Sequence, residues 1–375
     1  MNPMPAPALP KPRLLLISGG GLIGENILDA LSSRRNQVEL FATNSTAQGS
    51  SLFDFDAVYL VPPTSAEPRD FEVRLLEILD EVQPDLVIPC RDDDVVILAE
   101  LKSRRPELGD RFLCGSEEVA RLSNDKWLSW QFADANSLPF AATLATPTGQ
   151  ELEAFVETYG FPLLVKPRSG SGARDIRLVS TPDQLRGAAE REGYVIQQYL
   201  NGPSGLEEYL RLEAEFGTPL FNSFEGLKFS IQILIAPGGG LAGNFCSQNV
   251  NRFGTSTRLE RYRGVDAAEL GEACGEALAK AGWRGPVNIQ CGRTPSGRLF
   301  IYEFNSRLSG ATAARYRMGH DELGLVIRHF TDRSFPQGPE VHSDLVFRRV
   351  SDVAITQEGS RTLERDGVWR RSQGE

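Results

Sequence analysis

Histidine is nearly absent from this chain. Three occur in 375 residues, His320, His329 and His342, with none of the short spacings through which imidazoles share a zinc ion. The five cysteines, Cys90, Cys114, Cys246, Cys274 and Cys291, contain no Cys-x-x-Cys pair, which argues against a zinc ribbon or a thioredoxin-type redox centre. Their scatter suits reduced thiols, and a cytoplasmic setting is expected. No apolar run approaches the length of a membrane span. The opening segment, residues 1–12, is proline-rich rather than a signal peptide and is expected to be disordered. Positive charge is also in deficit: 40 basic against 50 acidic residues leave a formal net charge of -10, so no nucleic-acid footprint is expected.

With 41% hydrophobic residues, a chain of this length can bury a substantial core split into two or three lobes. From Arg13 to about Ser116, short apolar runs (Leu14 to Ile17, Val38 to Ala42, Leu86 to Pro89) alternate with helical stretches such as Phe71 to Val82. Strand and helix in turn imply an α/β unit with a parallel, doubly wound sheet. Residues 117–200 read as a linker helix and a small lobe, with Thr181-Pro182 as a helix start. Residues 201–336 read as a larger lobe, including a helix from Asp266 to Ala281 with Leu270, Cys274 and Leu278 on one face. Residues 337–375 form a C-terminal segment with a polar tail. No internal repeat is visible.

Two motifs carry chemistry. The first is Val287-Asn288-Ile289-Gln290-Cys291, followed after the turn Arg293 to Gly297 by Leu299-Phe300-Ile301-Tyr302-Glu303-Phe304-Asn305-Ser306-Arg307. The pattern predicts a hairpin on which Glu303 and Asn305 share a face while Phe304 points the other way. With Gln290 they offer three oxygen donors, suited to a hard cation such as magnesium that takes its remaining ligands from substrate phosphates. Arg307 would face the same cluster, and its fork suits a phosphate. The second motif is the strand Phe161 to Pro167, which delivers Lys166, and the following Arg168-Ser169-Gly170-Ser171-Gly172 loop. Glycines let backbone amides approach an anion, and the serines add hydroxyl donors.

Together and in order along most of the chain, these motifs resemble the ATP-grasp superfamily, in the branch of carbamoyl phosphate synthetase and related carboxylate-amine ligases. The resemblance implies a Rossmann-like pre-ATP-grasp domain followed by a two-lobed ATP-grasp fold. Asn124-Asp125-Lys126 resembles the linker helix with the first ATP-contacting lysine, and Val195 to Leu200 the hinge that holds adenine. The implied ATP contacts are Lys126, Lys166, Ser169, Gly170, Ser171, Gly172, Gln197, Gln198, Tyr199, Leu200 and Lys228. The implied metal ligands are Gln290, Glu303 and Asn305, holding magnesium with manganese as a substitute. Arg307 and Arg258 take the catalytic roles, one on the transferring phosphoryl group and one on the acyl phosphate. Ser309, Gly310, Thr312 and Arg315 are expected at a second substrate, where Arg315 and Arg317 could hold a carboxylate. The sequence departs from the family at Gln198, Lys228, Gln290 and Ser306, positions where a hinge glutamate, a ribose-contacting acid, an acidic ligand and a proline are common. Residues 201–225, between hinge and next strand, are longer than a connection needs. They and a loop from Gln248 to Arg263 are the expected seats of specificity.

The implied activity is amide or peptide bond formation from small-molecule carboxylate and amine substrates through an acyl phosphate, with ADP and phosphate released. Carboxyphosphate chemistry is the alternative within the family. Two readings come from other classes. Gly19-x-Gly21-x-x-Gly24 matches a dinucleotide fingerprint, which would make an NAD(P)-dependent oxidoreductase, but the second strand ends in Asn44 rather than an acid for the ribose. A non-catalytic nucleotide-binding protein is the other. A homodimer is the commonest assembly for such enzymes.

Overall fold

A computed structural model describes residues 10–170, 175–200, 206–216, 226–252, 255–338, 343–349, 353–355 and 357–371. Three sheets organise them. In the first, the strands Arg13–Ile17, Glu39–Asn44, Ala57–Leu60 and Leu86–Pro89 run parallel, with Arg13–Ile17 between Glu39–Asn44 and Leu86–Pro89. Leu14, Leu15, Leu16 and Ile17 are all fully buried, as expected of a strand covered by helices on both faces. The alternation legible in the sequence is therefore realised. Its edge is not: the strand Val368–Arg370, from the far end of the chain, pairs antiparallel with Ala57–Leu60. The C-terminal segment thus completes the first sheet, and Trp369 packs edge-on against Phe53 at 5.1 Å.

Gly24 lies in the first turn of the first helix, Leu22–Leu31, so close to the strand end that a Cβ there would lie 1.8 Å from the Gly19 carbonyl oxygen. That glycine is required by helix-strand packing. Beside this turn Asp94 is fully buried, its Oδ1 accepting hydrogen bonds from Ser18 (3.1 Å) and Thr64 (3.2 Å), while Oδ2 has no partner among the described residues. Burial pushes the carboxyl up to about 7, against the lowering effect of the two hydroxyls and Arg91. Between the ordinary value of 3.8 and about 7 the folded chain holds a proton that the unfolded chain has released, so this group costs stability increasingly as pH rises through that window. Asp94→Asn should therefore raise the unfolding temperature at pH 8 by about 3 °C, and the gain should shrink toward pH 4. Thermal melts across that range check it.

The small lobe is an antiparallel sheet in the order Thr143–Ala145, Tyr194–Gln198, Leu163–Pro167, Arg177–Val179. Its helices are capped by local chemistry: Thr148 and Glu151 form a reciprocal capping box for Gly149–Tyr159, and Thr181 accepts from the Gln184 amide at the start of Pro182–Ala189. The second of these starts is where Thr181-Pro182 predicted it.

The large lobe is a six-stranded sheet in the order Leu299–Asn305, Gly285–Arg293, Gly226–Ile235, Leu241–Arg252, Thr255–Tyr262, Leu345–Phe347. Its apolar face, with Phe229, Ile231, Ile233, Val287, Ile289 and Cys291, packs against the helix Val265–Lys280 through the buried Leu270, Cys274 and Leu278. Within the expected specificity loop from Gln248 to Arg263, whose residues 253 and 254 lie outside the described residues, the strands Leu241–Arg252 and Thr255–Tyr262 pair, with a bulge after Val250. Their polar alternation obscured the strands, because one face is lined by Ser247 and Asn249 rather than apolar groups. Of the 201–225 insertion, the helix Leu206–Phe216 is described.

Candidate functional site

The hairpin predicted around the turn Arg293 to Gly297 forms, and its register sets Gln290 directly opposite Glu303 and Asn288 opposite Asn305. Three oxygen donors therefore meet on one face. The next pair is Cys291 with Ile301, so Tyr302 is an extra residue on its strand, a β-bulge. Regular alternation would send Tyr302 away from Glu303 with Phe304. The bulge turns it into the cleft, where its hydroxyl donates to Gln290 Oε1 at 3.0 Å and its ring lies under Lys166 and Lys228, with ammonium-to-centroid distances of 5.1 and 5.8 Å.

The two lobes bring three lysines here. Lys166, near the end of its small-lobe strand, is 3% exposed and donates to Gln197 Oε1 at 2.5 Å. Gln197 is fully buried and donates in turn to the Thr143 hydroxyl at 3.1 Å. Its side chain thus holds the lysine. Lys126 occupies the first turn of the helix Lys126–Ala135, capped by Asp125, whose Oδ1 accepts from the amides of Trp127 and Leu128. The same carboxylate pairs with Arg168 at 2.6 Å, and Lys126 Nζ donates to the Gly170 carbonyl at 3.0 Å. One acid therefore fixes both the helix start and the strand end that carry the lysines. Burial pushes Lys166 down to about 7, opposed by Glu303 and reinforced by Lys126 and Lys228. Burial also lowers Lys228, again opposed by Glu303.

Arg307 Nη2 lies 2.8 Å from Asn305 Oδ1 and 2.8 Å from Asp92 Oδ2, at the opening of the helix Asp92–Arg104 in the first domain. Both partners of the ion pair are largely buried. Asp92 is a site residue that sequence reasoning missed, since nothing in the Asp92-Asp93-Asp94 run marks which acid reaches across. Asn288 and Tyr302 were missed as well. Tyr302 depends on the bulge, for which the apolar run gives no signal.

Several expected residues lie elsewhere. Arg258 pairs with Glu260 at 2.6 Å. The register places it across from Val250, itself across from Leu227, on the face opposite Lys228, Ser230 and Gln290. It does not join the cluster. Arg315 is not a surface arginine: fully buried, it donates to Gln232, Ser309 and Glu322 through Nη1 and to Ser230 through Nη2. Its terminal nitrogens are committed to protein, which removes it as a carboxylate receptor. Arg317 pairs with Asp29 on the first helix at 2.6 Å. Ser309 and Thr312 are buried in a local turn closed by Thr312 Oγ1 on the Ser309 carbonyl, and the Gly310 carbonyl accepts from Arg348. Ser169 and Gly170 are exposed, whereas Ser171 and Gly172 lie outside the described residues. The Gln198 backbone N–H donates to the Ala142 carbonyl at 2.9 Å, and Leu200 is buried where it would meet any Cβ added to Gly292. Tyr199, between them, is half-buried.

The donor set fits a hard cation on one condition. Among the described residues no group of three His, Cys, Asp or Glu gathers, so no cage of charged ligands exists. One carboxylate and two amide oxygens suit magnesium only where water and phosphate oxygens complete its shell. Among the described residues no helix is long and apolar enough to cross a membrane.

No family model matches the chain. Over 208 residues it is 26% identical to a formate-dependent phosphoribosylglycinamide formyltransferase of Synechococcus sp. (strain RCC307), an alignment covering 54% of this chain and 49% of that protein. The chain thus spans about half the length of that relative. Its structure is similar to a biotin carboxylase from Campylobacter jejuni, with a TM-score of 0.63, 16% identity and coverage of 88% of this chain and 73% of the other. It is also similar to an L-amino acid ligase from Bacillus licheniformis, with a TM-score of 0.58, 15% identity and coverage of 86% and 74%.

Proposed function

Because the chain has the ATP-grasp fold, we propose that it is an ATP-dependent, ADP-forming carboxylate-amine ligase acting on small amino-acid-like substrates. The observation that carries this reading is the register of Gln290, Glu303 and Asn305 across from the lysine-bearing small lobe. Lys126, Lys166 and Lys228 would bind the nucleotide phosphates, and Gln290, Glu303 and Asn305 would hold magnesium. When bound, the metal would neutralise charge on the phosphate oxygens. An oxygen of the substrate carboxylate attacks the γ-phosphorus and ADP departs, leaving an acyl phosphate. Two anions must meet for this step, and the lysines with Arg307 offset their repulsion, so catalysis rests on positioning and electrostatics. The amine nitrogen then attacks the acyl carbon, phosphate leaves, and the nitrogen loses a proton. The domain division for this activity is a Rossmann-like unit over 13–116, a small lobe over 117–200 and a large lobe over 201–336, with the C-terminal segment returning to the first sheet.

The test is ADP and phosphate release from MgATP with panels of carboxylic acids and amines. ADP formation that requires both an acid and an amine supports the ligase. Release driven by bicarbonate alone would move the assignment to carboxyphosphate chemistry, and ATP binding without turnover would leave a nucleotide-binding protein.

A second measurement follows from Lys166. Burial brings the Lys166 ammonium down to about 7, and an arriving triphosphate would favour its charged form. ATP binding at pH 8 should therefore take up about one proton, against almost none at pH 6. Affinity should fall by roughly tenfold per pH unit above 7. Calorimetry in buffers of different ionisation enthalpy reads the proton directly.

A further inference from the structure

We propose that Tyr302 is the positioning residue that couples nucleotide to metal in this cleft, its ring serving as platform for Lys166 and Lys228 and its hydroxyl aiming the Gln290 oxygen beside Glu303. The inference rests on the reading of the cleft as an ATP site and adds a residue whose two ends act separately. Tyr302 is the bulged residue of its strand, so its direction is set by the backbone rather than by alternation. The ring meets two ammonium groups from two lobes, a cation-π arrangement that strengthens where the cations are partly desolvated. Both lysines are in that condition, Lys166 through near-complete burial and Lys228 through partial burial. The hydroxyl reaches the uncharged member of the ligand set. An amide oxygen binds a hard cation only through its dipole, so its aim matters more than that of a carboxylate.

The two ends are separable by substitution. Tyr302→Phe keeps the platform and removes the aim, whereas Tyr302→Leu removes both. With ATP as probe, binding is measured by calorimetry in EDTA and again across a magnesium titration. For Tyr302→Phe, affinity in EDTA should match the wild type, while the magnesium concentration that gives half of the metal-dependent gain should rise about three- to tenfold. Adding Gln290→Glu to Tyr302→Phe should restore the magnesium dependence, because a full charge replaces the lost aim. For Tyr302→Leu, affinity in EDTA should also fall by about three- to tenfold. The pH midpoint of proton uptake on ATP binding should move lower in that variant alone, since the ring no longer favours the Lys166 ammonium. A merely structural role would move none of these selectively. Tyr302→Phe with wild-type magnesium dependence, or Tyr302→Leu with wild-type affinity in EDTA, overturns the inference while leaving the ATP site intact. Absence of ATP binding by the wild-type chain overturns the functional reading and this inference with it.

Discussion

Arg307→Ala is expected to lower turnover by about two to three orders of magnitude while changing ATP affinity only a few-fold. An arginine that meets charge developing on the transferring phosphoryl group contributes mainly in the transition state, and removing one such donor costs roughly 10²–10³ in kcat. The variant carries a second effect. Arg307 neutralises Asp92 in a largely buried ion pair at 2.8 Å, and truncating one partner leaves the other charge without compensation, at a cost of about 3–5 kcal/mol. The unfolding temperature should therefore fall together with activity. Adding Asp92→Asn should recover most of the stability and none of the turnover, because the amide needs no counter-charge and still supplies no cation. Steady-state kinetics and thermal melts on the single and double variants separate the two contributions. If the double variant regained activity, the role of Arg307 would be structural.

The sequence made legible whatever depends on periodicity and short-range chemistry. The parallel strands of the first domain, the Thr181 cap, the helix bearing Leu270, Cys274 and Leu278, and the hairpin of Gln290 and Glu303 all follow from patterns a few residues long. Features set by register or by contacts between distant segments were hidden. Tyr302 enters the cleft only because one residue is unpaired in its strand. Asp92 reaches Arg307 across 215 positions of sequence, and Val368–Arg370 closes a sheet begun at Arg13. Arg258 was misplaced for the same reason, since a bulge after Val250 decides which face it occupies. Arg315 illustrates a different limit. A lone arginine near a turn reads as a surface group, yet Arg315 is completely buried, its two terminal nitrogens donating to Gln232, Ser230, Ser309 and Glu322.

Glu303→Gln should have the larger effect on catalysis, because Glu303 is the only carboxylate among the three proposed ligands. The substitution keeps size and hydrogen-bonding capacity and removes one negative charge from a site whose other donors, Gln290 and Asn305, are amides. A divalent cation would then be held by three neutral oxygens and the nucleotide alone. Turnover should fall by about 10³ or more, and excess magnesium should recover little of it, since the loss is in the field at the transferring phosphate as much as in occupancy. A second consequence reaches the lysines. Glu303 opposes the lowering of Lys166 and Lys228 by burial, so in its absence both ammonium groups become harder to keep. Proton uptake on ATP binding should then begin at lower pH than in the wild type, while affinity for free ATP in EDTA near pH 6 should rise, because a repulsive carboxylate has been taken from beside the phosphates. Tighter metal-free binding together with collapsed turnover would be the signature of a ligand acid. Equal loss of both would mean that Glu303 only supports the hairpin.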